Sequence, residues 1–314
     1  MEIDTYEPKS ESMKPYAVFD LFKRTIGRDW QISQNEFTER IFGDESADVN
    51  SRYAVLREGE NILGFIAFKY KASGDKPKGQ IALILVDQSY QRQGWGTKLI
   101  EHALSEMKQA GVYDVQLGAG AGSYLWPGVP ENLPKAQAFF TSQGWTFTED
   151  SIDMIGDIRK YSTPVSVSER LDPSVTFRYP DAGMKDALLA FEQEHFPEWY
   201  EYFKKHLDDE AWETILVAVN QDNEILGSTL VTISNFTWQE MFDGPVGSIG
   251  TLGVSKQNRG KGIGLALAAR ATELLKERGA SYCFLGWTYL EGWYAKLGYE
   301  VWREYKISWL TIQK

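Results

Sequence analysis

ILVDQSYQRQGWGTKLIEHALSEMKQAG (residues 84–111) returns as LGVSKQNRGKGIGLALAARATELLKERG (252–279), and the two stretches align without a gap. Val86 falls on Val254, Gln91 on Arg259, Gly94 on Gly262, Gly96 on Gly264 and Gly111 on Gly279, all at one offset. Self-similarity of this length means a duplicated domain. The chain length agrees, because 314 residues exceed most single cores and suit two domains of ~100–150 residues.

Outward from the repeat the two halves stay parallel. An apolar, strand-like run precedes each copy (QIALILV and GSIGTLGV) and an amphipathic helix follows. Leu99, Ile100, Ala103, Leu104 and Met107 recur at helical spacing in the first helix, and Ile263, Leu267, Leu274 and Leu275 in the second. Next come a short strand, VYDVQLG (112–118) or SYCFLGW (281–287), and a short helix ending at Gly144 or Gly298. Upstream lie two hairpins, RYAVLREGENILGFIAFKYK (52–71) and TILVAVNQDNEILGSTLVTIS (214–234), with turn residues at EGEN and NQDNE. The pattern predicts a mixed α/β fold of two like halves, residues 1–161 and 175–314. The stretch STPVSVSERLDPS (162–174), rich in Ser and Pro and without periodicity, reads as their linker.

The glycine loops QRQGWG (91–96) and RGKGIG (259–264) stand where a strand hands over to a long helix. Unpaired N–H groups and the helix dipole converge there, which makes an anion site. Glycine lets the backbone approach a phosphate and take up a positive φ. Neither loop has the GK followed by Ser or Thr of a Walker loop, nor a full dinucleotide GxGxxG. Arg259 and Lys261 add charge beside the second loop where the first has Gln91 and Gln93, so phosphate should bind the second more tightly.

Both loops resemble the (Q/R)xxGx(G/A) motif of the GNAT superfamily of acyl-CoA-dependent N-acyltransferases, and the resemblance runs over nearly the whole chain. It implies two tandem GNAT-like halves that use acetyl-CoA as acyl donor. In that family the loop amides hold the coenzyme A pyrophosphate, and the preceding strand splays from its neighbour to pair with the pantetheine arm. The positions carried over are Ile84, Val86, Gln91, Gln93, Gly94 and Gly96 in the first half, and Leu252, Val254, Arg259, Lys261, Gly262 and Gly264 in the second.

Acyl transfer from a thioester to an amine needs a neutral amine, a polarised carbonyl and a proton for the departing thiolate. The family commonly takes that proton from a tyrosine in a pattern like LYxxxGF. WYAKLGY (293–299) puts Tyr294 at that position, whereas FFTSQGW (139–145) puts Phe140 there, so the resemblance implies a catalytic C-terminal half. Asp243, Glu240 and Glu291 are candidates for the base, and the position stays open. In HFPEWYEYFKKH (195–206), Phe196, Trp199 and Tyr202 are candidates for a wall of the acceptor pocket, with Glu198 or Glu201 attracting an amine; helix core packing is the competing reading. The glycine-rich insert LGAGAGSYLWPGVPENLPKAQ (117–137) either covers the second half's cleft, closes its own, or is a plain surface loop.

Composition bounds the rest. Apolar residues at 43%, aromatics at 14% and charged residues at 25% describe a globular chain. The start has no basic and apolar leader and no later run reaches membrane-spanning length, so a cytoplasmic protein is expected. The single Cys283, in an apolar run, reads as a packed small hydrophobe. Three histidines at no ligand spacing and one cysteine give no metal site, and GxSxG is absent. A net charge of -11 opposes nucleic acid and allows a small cationic acceptor, though it serves equally as a solubility device. The expectation is a monomeric or homodimeric N-acetyltransferase acting on a small-molecule amine. Its alternatives are an active site in the N-terminal half and a noncatalytic acyl-CoA-binding or sensing protein.

Overall fold

The computed structural model of the chain, described for residues 1–8, 15–43, 45–72, 77–233 and 236–313, repeats one order of elements twice. The first copy runs β1 (Glu2–Thr5), α1 (Pro15–Thr25), α2 (Gln34–Phe42), β2 (Asn50–Glu58), β3 (Asn61–Lys71), β4 (Lys78–Val86), α3 (Trp95–Gln109), β5 (Asp114–Leu117), β6 (Val129–Pro130), α4 (Pro134–Ser142) and β7 (Thr146–Asp157). After α5 (Val165–Ser168), the second copy runs β8 (Thr176–Arg178), α6 (Lys185–His195), α7 (Tyr200–Asp208), β9 (Ile215–Val219), β10 (Ile225–Thr232), β11 (Val246–Val254), α8 (Ile263–Glu277), β12 (Tyr282–Thr288), α9 (Glu291–Tyr294) and β13 (Glu300–Thr311). Ser234, the last residue of the second expected hairpin segment, lies outside the described residues. None of the described helices is long and apolar enough to cross a membrane.

In each copy an antiparallel run, β2–β3–β4 or β9–β10–β11, ends in one parallel pairing. The two parallel pairings share a register: Lys78, Gly79 and Gln80 face Asp114, Val115 and Gln116, while Val246, Gly247 and Ser248 face Tyr282, Cys283 and Phe284. Past these pairs β11 runs on to Val254 and β12 to Thr288 without pairing with each other, so the two strands part. The long helix of each copy packs on this pair. α3 buries Leu99, Ile100, Ala103 and Met107, and α8 buries Leu267, Leu274 and Leu275, each large side chain contributing about 2 kcal/mol. A methyl group on Gly79 would stand 2.5 Å from Met107 Sδ, and one on Gly247 2.6 Å from Leu275 Cδ2. The same glycine thus brings the helix down onto the sheet in both copies.

The compact units do not follow the halves of the sequence. One comprises Met1–Ser151, Thr237–Met241 and Arg303–Lys314, and the other Ile152–Phe236 and Phe242–Trp302. In the first unit, Trp309–Thr311 of β13 pair antiparallel with β5. In the second, Ile152–Asp157 of β7 pair antiparallel with β12. Each unit therefore takes a strand from the other half of the sequence. The stretch 162–174, expected as a linker, forms part of the second unit: Val167 is buried in its core and packs with α8 residues.

Candidate active site

The second unit carries an open cleft of about 800 Å³ in the wedge where β11 and β12 part. Ile249 to Val254 line one side and Leu285 to Leu290 the other, with the loop Asn258–Gly262, Gly264, Trp293 and Tyr294 between them. Of the residues singled out in this half, Leu252, Val254, Arg259, Lys261, Gly262, Gly264, Phe196, Trp199 and Tyr294 come together here. Tyr202 is not among the lining residues. Phe203 and Leu207 take the buried stripe of α7, which turns Tyr202 outward, 59% exposed.

The loop is shaped for an anion. Gly262 is the N-cap of α8 with φ 84°, and no side chain caps the first-turn amides. Arg259 Nε donates to Val254 O at 3.0 Å, which folds the loop back on the strand and leaves the rest of the guanidinium to the cleft. Lys261 Nζ donates to Asn258 Oδ1 at 2.8 Å. Arg170, from the stretch read as a linker, also lines the cleft: a methyl group on Gly262 would sit 3.2 Å from its carbonyl oxygen. With Lys296 these make the cleft wall cationic in a protein of net charge -11.

Both strands bulge where they border the cleft. On β11 an extra residue enters opposite Thr229, and Thr251 adopts φ 49°. On β12 the register with β7 shifts between Leu285 and Thr288, and Trp287 adopts φ 48° while its N–H donates to Asp153 Oδ1 at 2.8 Å. A β-branched and a bulky residue with positive φ are strained by about 1–3 kcal/mol each, and such strain collects at functional sites. Sequence reading missed both, since no local signal marks a left-handed threonine.

Tyr294 lies on the floor of the cleft, 8% exposed, edge-on to Trp293. Burial, and next the neighbouring Cys283, push its hydroxyl up to about 12, so it holds its proton at neutral pH. Among the described residues the hydroxyl has no hydrogen-bond partner. Cys283 itself is fully buried and raised to about 12 by burial, as a packed hydrophobe should be. The proposed bases stand elsewhere. Asp243 accepts from Tyr282 Oη at 2.5 Å, Glu240 belongs to the first unit, and Glu291 does not line the cleft. Among the described residues no group of His, Cys, Asp and Glu forms a metal site.

The first unit repeats the loop's backbone without its charge. Gly94 has φ 83° and caps α3 with no side-chain bond, and Gln91 Nε2 donates to Val86 O at 2.9 Å in place of Arg259. Gln93 donates to Ser89 O, and Phe139 rests 3.2 Å from a methyl position on Gly96, as Trp293 rests 3.4 Å from one on Gly264. Ile84 and Val86 are half-buried against the core. Arg92 takes φ 62° where the second loop has Gly260 at φ 80°. The insert packs on its own unit: Ala121 and Gly122 amides donate to Gln80 Oε1, and Ser123 joins Glu45 and the fully buried Lys69.

The model of the acetyltransferase (GNAT) family matches residues 16–145 and again 182–299. This chain belongs to the GNAT family. It is a tandem GNAT acetyltransferase, similar over 98% of its length, at 26% identity and a TM-score of 0.90, to the GCN5-related glucosamine N-acetyltransferase region of a fungal multi-domain GH3 β-N-acetylglucosaminidase, of which it spans 38%. The mycothiol acetyltransferase of Thermobispora bispora is 25% identical over 248 residues, 75% of this GNAT chain and 74% of the relative. A tandem GNAT protein of the clavulanic acid biosynthesis pathway shares the fold along all of this chain and 99% of its own, with a TM-score of 0.71 at 13% identity.

Proposed function

We propose that the protein moves the acetyl group of acetyl-CoA to the amine of glucosamine or a close amino sugar, in the cleft of its C-terminal unit. One observation carries the donor: the cationic, uncapped N-terminus of α8 opens into the same cleft as the neutral hydroxyl of Tyr294. First-turn amides, Arg259, Lys261 and Arg170 suit a diphosphate, and the unpaired edge of β11 suits the amide-bearing pantetheine arm. The thioester then lies beside Tyr294, which gives its proton to the thiolate as the C–S bond breaks.

The acceptor rests on the likeness to the glucosamine N-acetyltransferase region and on the lining itself. Trp287 and Tyr289, 46% and 83% exposed, with Trp199, offer aromatic faces to the apolar side of a sugar ring. The relatives named mycothiol acetyltransferase support a second acceptor, a mycothiol-related amine. Thiol release from acetyl-CoA, measured against glucosamine, that amine, an aminoglycoside, a polyamine and a peptide amine, tests the choice. Glucosamine should give the highest kcat/KM. Another amine ahead by tenfold or more overturns the acceptor, and no transfer to any amine overturns the enzyme reading.

A further inference from the structure

Among the described residues, those lining the cleft include Arg170, Arg259, Lys261 and Lys296 but no carboxylate and no imidazole. An amino sugar arrives as an ammonium ion and attacks only after losing a proton. A protein group that takes that proton would therefore stand behind the lining. Glu192 of α6 stands there, with no exposed surface. One turn on, Phe196 lines the cleft, and its ring fills the place of a side chain on Gly253, where a methyl group would meet it at 2.5 Å. Gly253 is in turn the cross-strand partner of Ser228, whose hydroxyl donates to Glu192 Oε1. The other oxygen, Oε2, is buried and has no hydrogen-bond partner among the described residues. A buried carboxylate oxygen left bare is costly, so a role beyond packing is expected of it.

We propose that Glu192 is the proton acceptor for the amine, with Ser228 fixing Oε1 and leaving Oε2 to take the proton through solvent water from the cleft. Its carboxyl is raised to about 7, by burial first, against the Ser228 bond, which lowers it, and with the charge of Glu198, in the turn before α7, which raises it. On β10 it faces Ser228, whose cross-strand neighbour on β11 is the uncharged Gly253, while His206 of α7 is engaged with Thr214 Oγ1 at 2.6 Å. A base with that pKa is half ionised at neutral pH, where proton transfer is most effective. The protons balance. One leaves the ammonium for Glu192 and then solvent. The C–N bond forms and the C–S bond breaks, and the second nitrogen proton, shed at that step, replaces the one Tyr294 gives to the thiolate.

This assignment rests on the acetyltransferase reading but not on glucosamine, and the pH profile of kcat/KM for whichever amine turns over best tests it. Wild type should show an acidic limb near pH 7. Glu192→Gln should lose that limb and fall roughly 10²-fold at pH 8, with coenzyme A affinity unchanged. Ser228→Ala should move the limb to higher pH, because the carboxylate loses a donor. Glu194→Gln, an exposed neighbour, is the control. A Glu192→Gln enzyme that keeps the limb, or a Ser228→Ala limb that stays or falls, overturns the proposal even if glucosamine proves to be the acceptor. A Glu192-dependent limb with another amine upholds Glu192 and overturns glucosamine. Titration of the Glu192 carboxyl by carbon NMR reads the same group without turnover, and an ordinary value below 5 overturns the assignment on its own.

Discussion

At the ends of β5 and β12 the chain stands at matching positions and goes two ways. After Leu117, the Gly118 amide bonds back to Ile81 O of β4, and the insert folds over its own sheet with Ala119, Ala121, Leu125 and Trp126 buried. After Leu285 the strand runs on through the strained Trp287 and leaves the wedge open. The loops diverge likewise: Lys256, Arg259 and Lys261 of the second face Arg92 alone in the first, where Asp87, ion-paired to Arg24 at 2.7 Å, stands in place of Ser255. Phe140 and Tyr294 share a position and a degree of burial but not a proton. The two copies share backbone devices such as Gly79 and Gly247 and differ in their chemical groups. A duplicated fold and its chemistry are therefore separable, one written in glycines and apolar spacing, the other in a few side chains.

The sharpest way to break the comparison is Tyr294→Phe, which makes the second unit match the first. Turnover should fall ~10²–10⁴-fold with coenzyme A affinity nearly unchanged, and Phe140→Tyr should restore nothing. Full turnover by Tyr294→Phe, where chemistry limits the rate, would return the first unit to contention.

A second contrast lies in buried charge. Lys69 is paired with Glu45 and Ser123, and the pair lowers the Glu45 carboxyl against burial, whereas among the described residues no cation is bonded to Glu192. Burial raises Glu192 from 4.5 to about 7, so its stabilising contribution is complete below 4.5 and is lost as pH rises through 7. The span of about 2.5 pH units, at about 1.36 kcal/mol each, is about 3 kcal/mol. Relative to wild type, Glu192→Gln should gain up to that much stability between pH 5 and pH 8 in urea unfolding. Parallel pH profiles for the two proteins would contradict a raised pKa.

The smallest effect concerns the loops. Gly262→Asp puts a carboxylate at φ 84° facing the cationic cleft, and should weaken coenzyme A binding about 10–100-fold by calorimetry, the worth of one or two charged hydrogen bonds. Gly94→Asp, equally strained at φ 83°, should lose stability but leave that affinity nearly intact. Equal losses in affinity would mean that both units bind the donor.

The repeat made the element order and the glycine loops legible, because both are local and periodic. The bulges were not, since a left-handed Thr251 or Trp287 is imposed by neighbouring strands. Nor was the destination of β7 and β13: strand period tells which face is buried and not which sheet is joined. Glu192 did carry a signal. It falls midway between Leu188 and Phe196 at helical spacing, an acid on an apolar stripe, hidden beside Glu194 in FEQEH.

The destination of β13 has a consequence for how the chain is born. The first unit gains the strand beside β5 only when residues 309–311 leave the ribosome, long after its own helices are made. Its sheet waits, one edge bare, through synthesis of the entire second copy. An unpaired strand edge invites association with other chains, so the slow and vulnerable period for this protein is translation itself.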